Sequence, residues 1–343
     1  MRLKENKVEI EHARSEYGIE YAKRAIENAK DVVIFLDYDG TLTKIVSKPS
    51  EAKLSQRAKE IIEKLASLEN THVGVISGRK LEDVMSRVGI EGIWYAGNHG
   101  LDVIIGNIGN KRYHRYEFVD ENFREILKRI AEQLEERTKG IEGIIVENKG
   151  STIAFHYRNV EKKRVKEVKK IFMETLQPWV DAGLVNLHKG KMVLEVWPAI
   201  RWNKGLAMFM LLSECKIETE KCALFYLGDD ITDEDAFKLI NTRKKRGKKR
   251  DKRIKYSIPI FVGDRIKKTN ARFYLKGPDE VILYLEFIFS LLNQRDNLRM
   301  KNKTNKEIGR KDIKKKRKKN GRKNVRNRKR SVRKDGAKSN IRK

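Results

Sequence analysis

Asp31-Val-Val-Ile-Phe-Leu36 is a short apolar run rich in β-branched residues, and it stops abruptly at Asp37-Tyr-Asp-Gly-Thr-Leu-Thr43. A run of this kind suits a strand buried on both faces. The acidic residues that follow suit no buried strand, so the chain must leave the sheet there. The same punctuation recurs twice. Val73-Gly-Val-Ile76 ends in Ser77-Gly-Arg79, and Ala223-Leu-Phe-Tyr-Leu227 ends in Gly228-Asp-Asp230. Trp94-Tyr-Ala96, before Gly97-Asn-His-Gly100, reads as another short strand. Helical spacing fills the gaps, as in Leu54, Ala58, Ile61, Ile62 and Leu65, then residues 81–88 and 204–212. Strand and helix in alternation predict a parallel α/β sheet.

From about residue 102 the texture changes. Ile104-Ile105, Tyr113–Phe118, Ile144–Val146, Thr152–Tyr157 and Val193–Val196 read as strands, separated by helical stretches near 121–137 and 161–175. The expected architecture is therefore α/β: a Rossmann-like parallel-sheet core domain with an inserted α+β cap domain and a disordered basic C-terminal tail. The boundaries fall at 1–30 for a helical lead-in, 31–102 and 198–295 for the core, 103–197 for the cap and 296–343 for the tail. Ile258–Val262 reads as a late strand and 279–293 as a closing helix.

The 343 residues are 39% hydrophobic and 37% charged, with a formal net charge of +30. That charge is concentrated. Residues 301–343 hold 22 Lys/Arg against Glu307, Asp312 and Asp335, a net of +19, and residues 241–255 hold 10 against Asp251, a net of +9. The rest is close to neutral, so the overall basicity describes two appendages and not the folded part. A low-hydrophobicity, single-sign tail cannot bury enough surface to fold. Two cysteines, Cys215 and Cys222, are too few for a disulfide scaffold and lack metal-ligand spacing. No apolar leader or span of about 18 apolar residues is present, so the expectation is a cytoplasmic protein without membrane attachment.

Open parallel sheets bind ligands beyond the carboxyl ends of their strands. Here those ends carry Asp37 and Asp39, then Ser77, then Asp229 and Asp230. Carboxylates gathered in one crevice raise one another's pKa unless a cation joins them. Mg²⁺ suits such a site, since it works with few protein carboxylates together with phosphate oxygens. One carboxylate can attack phosphorus; a second, two residues on, can protonate the leaving oxygen and later activate water. A hydroxyl and Lys204, at a helix start, would hold phosphoryl oxygens. Each piece alone has a plainer reading. Asp-x-Asp-Gly is commonly a turn, Ser77-Gly78 a helix cap, Lys204 a surface lysine, and Asp229-Asp230 a capping pair. Their joint occurrence, each at the end of a buried strand or beside one, favours chemistry.

These residues resemble the haloacid dehalogenase-like phosphatase superfamily. Its four motifs are matched by Asp37-Tyr-Asp-Gly-Thr-Leu-Thr43, Ser77-Gly-Arg79, Lys204 and Gly228-Asp-Asp-Ile-Thr-Asp-Glu-Asp-Ala-Phe237. The first and last motifs look like those of one branch, the trehalose-6-phosphate phosphatases. Gly97-Asn-His-Gly-Leu101, Glu147-Asn-Lys149, His156-Tyr-Arg158 and Leu194-Glu-Val-Trp-Pro198 extend the likeness across residues 30–295. The resemblance implies Asp37 as nucleophile and Asp39 as general acid/base. It implies Mg²⁺ on Asp37, the Asp39 carbonyl and Asp229, with Asp230 and Asp233 as backing or alternative ligands. Ser77, Gly78, Lys204 and Thr41 would bind phosphate. Asn98, His99, Glu147, Lys149, Arg158 and Glu195 would face the sugar. By strand alternation alone, Glu147, Lys149 and Glu195 read equally as solvated faces, and His99 and His156 as core. Trp197 stands where the family usually has Arg.

The activity so implied is Mg²⁺-dependent hydrolysis of trehalose 6-phosphate through an aspartyl-phosphate, in trehalose biosynthesis. The small-molecule partner is a sugar phosphate, and a trehalose-phosphate synthase is a candidate protein partner. Two alternatives stand beside it. One is a phosphatase for a sucrose- or mannosylglycerate-type sugar phosphate. The other is a nucleic-acid- or ribosome-associated role, because Lys/Arg runs bind phosphate backbones without sequence preference. The tail lacks the interleaved aromatics of specific single-strand binders, so any nucleic-acid contact it makes would be non-specific. A catalytically inactive regulator is disfavoured by the complete acidic set.

Overall fold

A computed structural model describes residues 10–46, 48–106, 113–190, 192–241, 254–264 and 268–300. The basic stretches at 242–253 and 301–343 lie outside the described residues; of the tail expected to be disordered from 296, residues 296–300 are helical and the rest falls in that undescribed part.

In chain order the strands are β1 (Glu11–His12), β2 (Asp31–Leu36), β3 (Thr71–Ile76), β4 (Trp94–Gly97), β5 (Asp102–Gly106), β6 (Tyr113–Glu117), β7 (Ile145–Asn148), β8 (Ile153–His156), β9 (Val185–Gly190), β10 (Val193–Pro198), β11 (Cys222–Gly228), β12 (Tyr256–Val262) and β13 (Phe273–Leu275). The helices are α1 (Glu16–Asn28), α2 (Gln56–Ala66), α3 (Leu81–Val88), α4 (Glu121–Arg137), α5 (Val165–Asp181), α6 (Lys204–Glu214) and α7 (Ile231–Asn241). A further helix begins at residue 278. Ser290–Lys343 forms a separate compact unit, of which residues 290–300 are described and helical.

Among the described residues, one sheet has the order β1-β13-β12-β11-β2-β3-β4-β5-β6. Pairing is parallel from β1 through β4. Every residue of β2 and β11 is buried, as expected of strands sandwiched between helical layers. The chain runs outward from β2 through β3 and β4 on one side, and from β11 through β12 and β13 on the other. The direction of winding therefore changes between β2 and β11. Their register pairs Leu36 with Leu227, so the residues just past both strands emerge side by side. That is the crevice where an open α/β sheet accepts a ligand.

The inserted module begins later than the sequence suggests. Residue 103 falls inside β5, and β5 and β6 continue the large sheet in antiparallel fashion. The reason is apolar alternation: Val103 and Ile105 pack into the same core as Ile76, Trp94 and Met208. A distinct antiparallel sheet, β7-β8-β10-β9, follows α4. Period-two alternation gives it two different faces. Ile153, Phe155, Val196 and Val185 turn one way and join Leu127, Ile130 and Leu134 of α4 and Phe172 and Leu176 of α5 in a second core. On the opposite face the register aligns Glu147 with Ala154, Ala154 with Glu195, and Glu195 with His188. The helical lead-in is also modified, since β1 precedes α1 and pairs with β13.

Phe155 and Phe172 meet at the centre of the second core with ring centroids 5.1 Å apart, and both are fully buried. Phe172→Ala is expected to destabilise the protein by about 3–5 kcal/mol, the usual cost of a buried aromatic cavity. A urea unfolding midpoint within experimental error of the parent would show that this core is not packed as described.

Candidate active site

Asp37 leaves β2 with its backbone N–H on the Leu227 carbonyl of β11, at 2.9 Å. Its carboxylate is buried and accepts a hydrogen bond from Lys204 Nζ at 2.7 Å. Lys204, the first residue of α6, also donates to Asp233 Oδ1 at 2.8 Å. Asn203 caps that helix by accepting from the Leu206 N–H, which fixes where the lysine starts. Asp233, in the first turn of α7, is fully buried and further accepts from Tyr226 Oη at 2.9 Å and from the Asp230 N–H at 3.1 Å. Carboxylate oxygens of Asp37, Asp229 and Asp233 lie within 4.8 Å of one another.

The electrostatics follow from this crowding. Burial raises the Asp37 pKa to about 7; Lys204 opposes the rise and Asp233 adds to it. Burial raises Asp229 to about 9, reinforced by Asp37 and Asp233. For Lys204, burial pushes the pKa down, but Asp233 and Asp37 outweigh it and the ammonium is held charged. Asp229 Oδ1 is buried and has no hydrogen-bond partner. Two carboxyls pushed up by burial and crowding, and one orphaned oxygen among hard donors, fit a small divalent cation.

Gly40, two residues beyond the crowded turn's Tyr38, has φ +91°, and a Cβ there would run into the Asp229 carboxylate. Glycine is thus required both by conformation and by the approach of the two strand ends. Asp39 points elsewhere. Arg79 grips it through two 2.6 Å bonds, Nε to Oδ2 and Nη2 to Oδ1. Arg79 also holds Asp83 and the Pro49 carbonyl and lies over the Tyr38 ring. The sequence reading gave Arg79 no role, although it belongs to the Ser77-Gly-Arg79 motif; its partner lies forty residues upstream, a pairing that spacing does not reveal.

A cavity of about 610 Å³ opens on these groups. Its walls include Asp37, Asp39, Ser77, Gly78, His99, Arg158, Glu195, Lys204, Asp229 and Asp230. Ser77 is buried and accepts from the Arg79 N–H. His99 donates its backbone N–H to the Ser77 carbonyl at 2.8 Å, so the 97–100 turn is laced to the 77–79 loop.

Thr41, Asn98, Glu147 and Lys149 are not among the residues lining the cavity. Asn98 donates to Asp102 Oδ2 at 2.5 Å and to the Lys149 carbonyl at 3.2 Å. Lys149 Nζ donates to the Gly78 carbonyl at 2.8 Å and lies 3.9 Å from Glu195. Glu147 pairs with His156 at 3.3 Å, which holds its pKa low. Thr41 is fully buried with an unpartnered hydroxyl. Asp230 is exposed, caps the following Ile231 N–H and stands outside the acidic cluster, whereas Asp233 stands within it. Glu195 is the most heavily served cap-side carboxylate. Burial would raise its pKa, but His99, Lys149 and the Trp197 indole bring it down to about 2. Trp197 of the cap motif also lines the cavity, as do His188, Trp202 and Asp235, which the sequence does not single out.

Comparisons with known proteins agree with this geometry. The trehalose-phosphatase family profile matches residues 35–279. Trehalose-phosphate phosphatase B of Arabidopsis thaliana is 34% identical over 262 residues, which is 75% of this chain and 66% of that protein. The trehalose-phosphate phosphatase of Mycobacterium tuberculosis (strain ATCC 25177 / H37Ra) is 33% identical over 74% of this chain and 60% of its own length. The chain thus spans about two thirds or less of the length of these two relatives. In fold, it resembles the C-terminal domain of the C. albicans trehalose-6-phosphate phosphatase, with a TM-score of 0.65 at 24% identity over 82% of this chain and 99% of that one. A haloacid dehalogenase-like hydrolase from Bacteroides thetaiotaomicron has a TM-score of 0.52 at 17% identity, covering 76% of this chain and all of that one. The fold is the one seen in a haloacid dehalogenase-like hydrolase. Within that class, the chain belongs to the trehalose-phosphatase family.

The acidic cluster makes a pH-dependent prediction. Asp37 and Asp229 bind protons more tightly in the folded chain than in the unfolded one. Their contribution to stability is therefore present at low pH and is lost as the pH rises through about 7 and about 9. With a chelator present, wild type should lose melting temperature relative to Asp229→Asn as pH is raised across that window. Mg²⁺ should restore more melting temperature at high than at low pH, because its ligands must be deprotonated. Parallel pH profiles for the two proteins, without metal, would contradict the assignment.

Proposed function

We propose that this protein hydrolyses trehalose 6-phosphate to trehalose and phosphate, with Mg²⁺ as cofactor and Asp37 as nucleophile. The observation that carries this reading is the convergence of Asp37, Asp229 and Asp233 at the carboxyl ends of β2 and β11, with Lys204 against Asp37. The names borne by the relatives support the choice of substrate.

Each group has a role that its position supports. An oxygen of Asp37 attacks phosphorus, the ester bond to the sugar breaks, and the phosphoryl group rests on Asp37 as an aspartyl-phosphate. Asp39 supplies the proton that the departing sugar oxygen needs, then takes one from the water that cleaves the acyl-phosphate. To do so it must release one of its two bonds to Arg79. Ser77, the Gly78 N–H and Lys204 hold the phosphoryl oxygens, and Thr41 backs the loop. Mg²⁺ held by Asp37, the Asp39 carbonyl and Asp229 would neutralise phosphoryl charge when bound. Asp233 fixes Lys204 in place, and Asp230 shapes the start of α7. The sheet β7-β8-β10-β9, with α4 and α5, acts as a cap whose polar face presents Arg158 and Glu195 to the sugar. Asn98, His99, Glu147 and Lys149 position that face. Covering the site excludes water and strengthens these charges.

Asp37→Asn keeps the volume and removes the nucleophile, so turnover should fall by at least about a thousandfold with the circular dichroism spectrum preserved. Residual turnover within tenfold of wild type would contradict the mechanism. The substrate reading is tested by phosphate release from trehalose 6-phosphate, sucrose 6-phosphate, mannosylglycerate phosphate and glucose 6-phosphate, with and without Mg²⁺. Equal rates on all four would remove the trehalose assignment.

A further inference from the structure

The cavity is also lined by the β9–β10 hairpin, at Leu187, His188, Lys189, Gly190 and Val193. Its volume of about 610 Å³ falls within the roughly 300–1,000 Å³ typical of small-molecule sites. This wall carries a stack of three rings. The Trp197 indole is flanked by two imidazoles, His99 at a centroid distance of 4.5 Å and 32° and His188 at 4.4 Å and 29°. Trp197 is 6% exposed, and its Nε1–H is tied to Glu195 Oε2 at 3.2 Å. Strand register explains the stack. His188 lies directly across from Glu195, and Trp197 follows two residues later on the same face. His99 arrives from the large sheet in a left-handed conformation, φ 56°, held by its bond to the Ser77 carbonyl. The inner members are immobilised, while His188, on the edge strand, is exposed and lines the cavity.

We infer that the His188 ring, braced by Trp197 and His99, is a stacking platform that selects substrates carrying a second sugar ring beyond the phosphorylated one. This deepens the proposed function and rests on it. A pyranose presents an apolar face of weakly positive C–H groups, and the face of an aromatic ring carries the complementary negative potential. Holding the ring in advance lowers the entropic cost of using it. Glu195, fixed by the same indole, supplies an acceptor beside the platform for hydroxyls on the ring edge. A monosaccharide phosphate anchored at Asp37 and Lys204 lacks the second ring that this platform would hold.

The test compares kcat/KM for trehalose 6-phosphate with that for glucose 6-phosphate. In His188→Ala the ratio should fall about tenfold, the scale of a single well-placed aromatic contact, with the loss carried mainly by KM for the disaccharide. His188→Phe, which keeps the ring and drops its nitrogens, should restore the ratio to within about twofold. Thermal melts of both variants control for folding, and the exposed edge position predicts little change. If wild type prefers the disaccharide phosphate and His188→Ala keeps that preference, the platform is wrong while the substrate reading stands. If His188→Phe is as impaired as His188→Ala, hydrogen bonding and not stacking is at work, and the inference fails. If wild type shows no preference between the two substrates, the proposed substrate and the platform fall together.

Discussion

A single buried ammonium organises the site. Lys204 stands between Asp37 and Asp233 at 2.7 and 2.8 Å, and Asp229 closes the acidic group without a partner for its Oδ1. Three carboxylates against one lysine leave a deficit of positive charge in a place with little water. The protein cannot relieve it from within, and so the Asp37 and Asp229 pKa values rise. That same deficit is what a divalent cation would remove on binding. Stability and reactivity are in tension here, as expected where charge is gathered for chemistry.

The tension is sustained by topology. Only a sheet whose winding reverses between β2 and β11 brings the ends of two strands nearly two hundred residues apart into register. The α6 cap at Asn203 sets the height of Lys204, and the first turn of α7 sets Asp233. Gly40 then allows the turn after β2 to pass against Asp229, where any side chain would collide. Asp233 illustrates the division of labour. Its oxygens are already engaged by Lys204, Tyr226 and a backbone N–H, so it aims the lysine, leaving Asp37 and Asp229 to face the cavity.

How much of this the sequence reveals depends on burial. Parallel strands enclosed on both sides are continuous apolar runs, so β2, β3 and β11 are legible, as are α3 and α4 with their 3.6-residue periodicity. β1 and β13 are two and three residues long and leave no pattern to read. β9, Val-Asn-Leu-His-Lys-Gly, is an edge strand whose outward positions are polar, so it resembles a loop; with it went His188. The motifs rank Asp230 beside Asp233, but Asp230 precedes α7 and is exposed, whereas Asp233 lies in its first turn and is buried. Arg79 and His99 act through partners distant in sequence, Asp39 and Trp197, and the Trp197–His188 stack depends on the β9–β10 register. The shift of the module boundary past β6 has the same origin, because strand continuation is decided by what Val103 and Ile105 find to pack against.

The two faces of the second sheet explain how it is joined to the large sheet. Its apolar face is committed to α4 and α5. Its polar side meets the large sheet through hydrogen bonds at the 77–79 loop and at residues 98–102. Lys149 reaches the Gly78 carbonyl, Asn98 reaches the Lys149 carbonyl, and Ser151 reaches Asp102 at 2.8 Å. Gly78 itself is packed so closely under His99 that a Cβ would strike the imidazole. His99 in turn meets Trp197, and Trp197 meets Glu195. The carbonyl that Lys149 grips and the ring that starts the three-ring stack thus belong to one continuous assembly. Moving the second sheet away would break the Lys149 and Asn98 bonds together and uncover His99 and Glu195 in the same motion. The proposed sugar-facing surface is therefore assembled only when the 77–79 loop is also in place.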